Sequence, residues 1–63
     1  MKTKKNNLKS MYRVFYYDNG ERWHLENCER LEHAIKGIQI HILKTGVKYL
    51  YEVIQNNKIV HTA

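Results

Sequence analysis

The chain has 63 residues, with eleven Lys and Arg against six Asp and Glu, a formal net charge of +5 at pH 7 and a pI near 9.5. That length is close to the lower limit for one apolar core, and it argues against a second domain or an enclosing enzyme cleft. Four bases, Lys2, Lys4, Lys5 and Lys9, fall in the first ten positions, which hold no acid; from Met11 to Ala63 seven bases meet six acids, leaving +1. A high pI ordinarily marks a nucleic-acid footprint on a folded face, but here most of the excess belongs to one segment. The single Cys28 cannot form an internal disulfide. No apolar run is long enough to span a bilayer or to serve as a signal h-region, so a soluble, cytoplasmic protein is expected, with no membrane partner.

Residues 1–10 are rich in Lys and Asn, with Leu8 as the one large aliphatic residue past Met1, and are expected to form a disordered basic tail. Residues 11–63 are expected to form a single domain. Its first element, Met11 to Asp18, is dense in aromatic and β-branched residues. Asn19-Gly20 follows, the strongest short hairpin signal because both positions accept positive φ. Glu21 to Glu26 is the predicted return strand. A two-residue turn then sets Asp18 against Glu21, Tyr16 against Trp23, Val14 against Leu25 and Arg13 against Glu26. One face carries Tyr12, Val14, Tyr16, Trp23 and Leu25 and is the predicted core face. The other carries Arg13, Phe15, Tyr17, Arg22, His24 and Glu26.

From Asn27 to Thr45 the apolar period becomes helical, with Leu31, Ala34, Ile35, Ile38 and Ile42 in one stripe. Asn27 is the expected N-cap, Glu29 and Glu32 suit the first turns, and Lys44 with Gly46 suits the C-terminus. Ile40 and Leu43 lie off the stripe near His33, Lys36 and His41, a second apolar surface expected to tuck against loop residues or Leu8, or else to be covered by a dimer or another partner. Val47 to Gln55 alternates again, Asn56-Asn57 is a turn, and Lys58 to Thr62 is a fourth strand. This sets Val53 against Val60 and Ile54 against Ile59. Val47, Tyr49, Tyr51, Val53 and Val60 are the expected core side, leaving Leu50, Ile54 and Ile59 partly exposed. The predicted fold is α+β in the order ββαββ: two antiparallel hairpins with one amphipathic helix across one sheet face, the other face bare. Five Tyr, one Trp and one Phe supply large apolar area for so short a chain, about 150–250 Å² each.

The bare face combines Phe15 and Tyr17 with the cations Arg13 and Arg22 and with His24. Rings among cations suit either a protein-binding patch or the stacking of single-stranded nucleic acid. Cross-strand aromatic pairing with Arg13 bonded to Glu26 would need no ligand at all. Near the expected helix start, Glu29 and His33 sit one turn apart beside His24, Cys28 and Glu32, but the spacing matches no metal-ligand pattern. Cys28 at a helix N-terminus would be an activated thiolate only beside a base in an organised cleft. There is no supported Ser, His and acid set, since the one Ser is Ser10, and no Gly-rich phosphate loop. The composition calls for neither catalysis nor a cofactor.

In pattern, Tyr12 to Gly20, the helix from Cys28 and Tyr49 to Val53 resemble the small accessory proteins of bacteriophages, whose bodies place two hairpins around one helix. The resemblance implies stoichiometric docking on a host enzyme, toxin or defence complex. A weaker likeness is to the arm-binding modules of phage integrases, whose helix follows a three-stranded sheet; here the helix lies between hairpins. Two functions are therefore expected. The first is a non-enzymatic inhibitor or adaptor that docks a protein through an exposed aromatic sheet face or edge. The alternative is a nucleic-acid binder with Lys2, Lys4, Lys5 and Lys9 on phosphates and the sheet rings on bases.

Overall fold

The computed structural model describes residues 11–63; the expected tail, with Lys2, Lys4, Lys5, Leu8 and Lys9, lies outside the described residues. The chain runs β1 (Tyr12–Asp18), β2 (Glu21–Cys28), α1 (Leu31–Thr45), β3 (Leu50–Gln55) and β4 (Lys58–Thr62), an α+β fold. The four strands form one antiparallel sheet in the order β2-β1-β3-β4, so the hairpins join through β1 and β3 and both return strands are edges. Asn19 and Gly20 adopt φ of 56° and 80°, and Asn56 and Asn57 adopt 54° and 64°. Both turns thus have the positive-φ pair whose twist matches that of the flanking strands.

The core forms where α1 packs on the sheet. Val14, Ala34, Ile38, Tyr51 and Val53 are buried, with Tyr12, Tyr16, Leu25, Leu31, Ile42 and Tyr49 packed around them. Each large buried side chain contributes about 1.5–3 kcal/mol. Leu31, Ala34, Ile38 and Ile42 of the expected stripe face inward, whereas Ile35 is half-buried outside that cluster; Gly46 closes the helix in the left-handed region at φ 74°, its N–H donating to the Ile42 carbonyl.

Two bulges revise the register. Val14 lies opposite Glu26 and Phe15 opposite His24, so Leu25 is an extra residue in β2. Arg13 consequently faces Asn27, and Glu26 turns to the helix side of the sheet instead of sharing a face with Arg13. Its carboxylate lies against Gly37, where a Cβ would collide with it. In the second hairpin Ile54 faces Ile59 as expected, but Val53 faces His61, which makes Val60 the extra residue of β4.

The same bulge lengthens β2 at the expense of the helix. Asn27 and Cys28 pair with Arg13 and Tyr12, so the helix begins at Leu31, Arg30 takes the N-cap position with no side-chain bond, and Glu29 precedes the helix. A ladder with an available strand outweighs a local Asn cap worth about 1 kcal/mol. Three expected core residues are substantially exposed: Trp23 on edge strand β2, Val47 before β3, and bulged Val60. Edge positions have neighbours on one side only, and Tyr16 makes its ring contacts with His41 and Tyr49. His41, expected beside Ile40 and Leu43, turns inward; its Nδ1 lies 2.8 Å from the hydroxyl of fully buried Tyr51, which needs a polar partner there.

Candidate binding face of the sheet

The sheet face away from α1 is assembled from alternate residues of all four strands. Across it run Asn27, Arg13, Ile54 and Ile59 in one row, His24, Phe15, Glu52 and Thr62 in the next, and Arg22, Tyr17 and Leu50 in the third. The five residues singled out from the sequence, Arg13, Phe15, Tyr17, Arg22 and His24, therefore share this face. Glu52 was not among them. Its place at the centre depends on the pairing of β1 with β3, for which the sequence carries no local signal.

Phe15 is not the exposed ring expected from its strand parity; only 6% of it is accessible. The Arg22 guanidinium carbon lies 4.3 Å from its ring centre, that of Arg13 5.4 Å, and His24 meets it edge-on at 5.3 Å. Arginine stems and guanidinium planes cover an aromatic ring while keeping their charge in water. With Glu26 on the opposite side of the sheet, the expected Arg13–Glu26 pair does not form. Among the described residues, no carboxylate lies within ion-pair distance of Arg13 or Arg22, and the Arg30–Glu32 pair is exposed on both sides. His24 Nε2 donates to Asn27 Oδ1 at 2.8 Å.

Tyr17 donates its hydroxyl to Glu52 Oε1 at 3.0 Å, and this bond, with burial and the Glu52 charge, holds the phenol above its ordinary value against the opposing effect of Arg22. The half-buried Tyr17 is thus tied down, leaving Leu50 and Ile59, each 56% exposed, as the accessible apolar part of the face. Both edges are kinked by their bulges, at Leu25 and Val60, which interrupt the regular row of backbone groups that an added strand would pair with.

A concavity of about 470 Å³, widely open, lies where β2 leads into α1, lined by Glu26, Cys28, Glu29, His33, Lys36 and Ile40 among others. Burial, then the charge of Glu26 and a hydrogen bond to it, raise the Cys28 thiol pKa, so the thiol is held protonated rather than activated. Glu29 and His33 no longer share a helix, and among the described residues no three His, Cys, Asp or Glu side chains are placed to hold a metal ion.

In comparison with known proteins, no family model matches the chain, and no curated protein or solved structure is detectably similar to it. Among the described residues, no helix is long and apolar enough to cross a membrane.

Proposed function

We propose that this chain is a non-enzymatic binding protein, an inhibitor or adaptor, that docks a protein partner through the bare face of its sheet. The observation that carries this reading is the presence, on one uncovered surface, of two arginines without carboxylate partners among the described residues and of exposed apolar side chains in the two outer rows, Ile59 beside Ile54 in one and Leu50 in the other. Arginine beside aliphatic surface is the composition of protein-binding patches, in which a few anchors carry most of the affinity. Base stacking is a weaker reading of the same face, because Phe15 is covered by its arginines and Tyr17 is bound to Glu52, leaving neither ring free to take a base.

The test is capture of partners from lysate, with and without nuclease, by the wild-type chain and by a Leu50→Ser, Ile59→Ser double variant. Both side chains are exposed, so the variant is expected to fold as the wild type does. A protein retained by the wild type and lost by the variant supports docking through this face. Equal retention by both sinks it, and loss of all captured material on nuclease treatment moves the reading to nucleic acid.

A further inference from the structure

The two arginines have a geometry that specifies their ligand. Both guanidinium carbons lie within 5.4 Å of the Phe15 ring centre, one arginine coming from β1 and the other from β2. Contact with the ring restrains each guanidinium, and among the described residues neither has an ionic partner. We infer that Arg13 and Arg22 form a two-armed carboxylate clamp for an extended acidic segment of a protein partner, one carboxylate to each fork. This rests on the docking reading above and names the chemistry that the face selects.

Three features favour an acidic peptide over a polynucleotide. Carboxylates on residues i and i+2 of an extended chain share one side and stand about 7 Å apart, a spacing suited to two forks gathered on one ring. The apolar positions Leu50, Ile54 and Ile59 lie across β3 and β4 from the clamp, where a peptide can place aliphatic side chains but a phosphate backbone gains nothing. Glu52 puts a negative charge in the middle row, which a continuous polyanion would have to cross, whereas a peptide can set a neutral residue over it.

The test is fluorescence anisotropy on the full 63-residue chain with the labelled eight-residue peptide Glu-Ala-Glu-Ala-Leu-Ala-Leu-Ala, whose Glu and Leu side chains share one side when extended. The corresponding Lys and Leu peptide and a short single-stranded oligonucleotide serve as competitors. The wild type is expected to bind the acidic peptide in preference to both. R13K/R22K should bind it about tenfold more weakly or worse, since lysine keeps the charge but loses the fork and the stack. Because net charge and residues 1–10 are identical in both proteins, the comparison reads fork geometry and not general attraction. If R13K/R22K does not unfold cooperatively, R22K alone, which alters the closer stack, makes the same comparison.

Unchanged affinity in the lysine variant, no binding of the acidic peptide, or tighter binding of the oligonucleotide overturns the clamp. If the clamp fails while the Leu50→Ser, Ile59→Ser variant still loses its captured protein, the docking reading stands without it. If capture survives both sets of substitutions, both readings fall.

Discussion

Val14 and Val53 lie directly opposite each other where the two hairpins meet, and each edge bulge opens beside one member of this pair, at Leu25 next to Val14 and at Val60 next to Val53. Both side chains are fully buried under α1, so the place where the sheet's twist changes on both flanks is also where its core is closed. Replacing either valine with Ala should cost about 2 kcal/mol, from lost burial and an unfilled cavity. Urea unfolding is the measurement; a cost below a few tenths would mean that the hairpins do not share one core.

Phe15 belongs to the structure of the face more than to its contact surface. Phe15→Ser should destabilise the chain by about 3 kcal/mol, through loss of a ring that is only 6% exposed and that carries two guanidinium groups. Tyr17→Phe, which removes only the bond to Glu52, should lower the melting temperature far less. Thermal unfolding of the two variants distinguishes them, and equal small losses would place Phe15 outside the folded core.

Three groups hold their protons more tightly in the folded chain than their ordinary values imply: Tyr51 through burial, Cys28 through burial and Glu26, and Tyr17 through its bond to Glu52. A raised folded value means that the unfolded chain loses the proton first. The contribution is therefore whole below the ordinary thiol and phenol values of 9.0 and 10.0 and is lost as pH rises beyond them. Melting temperature should fall as pH rises across that window. Tyr51→Phe should flatten part of the fall while costing about 1–2 kcal/mol at neutral pH by leaving His41 Nδ1 unpartnered. A melting temperature that is flat through the window would contradict this placement of the groups.

Gly37 and Glu26 are coupled by close approach, since a Cβ at Gly37 would displace the Glu26 carboxylate. Gly37→Ala should be near neutral, because a helix-propensity gain of about 1 kcal/mol opposes that displacement; Glu26→Ala with Gly37→Ala should recover the gain. Both Glu26→Ala and Gly37→Ala should speed alkylation of Cys28, by removing or moving the charge that helps keep its thiol protonated. Identical iodoacetamide rates in all variants would show that Glu26 does not govern the thiol.

At the second turn, Asn57 sits at φ 64°, which glycine adopts without steric penalty. Asn57→Gly should stabilise the chain by a few tenths of a kcal/mol, and Gly20→Ala, at φ 80°, should cost about 1 kcal/mol. Urea midpoints test both, and a loss from Asn57→Gly or a gain from Gly20→Ala would mean that the turn concerned is not of the positive-φ type.

What depends on near neighbours along the chain is legible in the residues alone. Asn19-Gly20 and Asn56-Asn57 made the two turns, the 3.6-residue stripe of Leu31, Ala34, Ile38 and Ile42 made an inward helix face, and Gly46 ended it. Strand alternation also put Arg13, Phe15, Tyr17, Arg22 and His24 on one side of the sheet. Tertiary structure decided what depends on partners distant in sequence. The β1–β3 pairing brought Glu52 to Tyr17, and the Leu25 bulge let Asn27 and Cys28 extend a strand and sent Glu26 to the helix side. Edge placement left Trp23 and Val60 in water, and the stacking of Arg13 and Arg22 covered Phe15. A bulge costs little locally and is settled by how the core closes, and one extra residue reverses the face of every side chain beyond it, so no local pattern announces it.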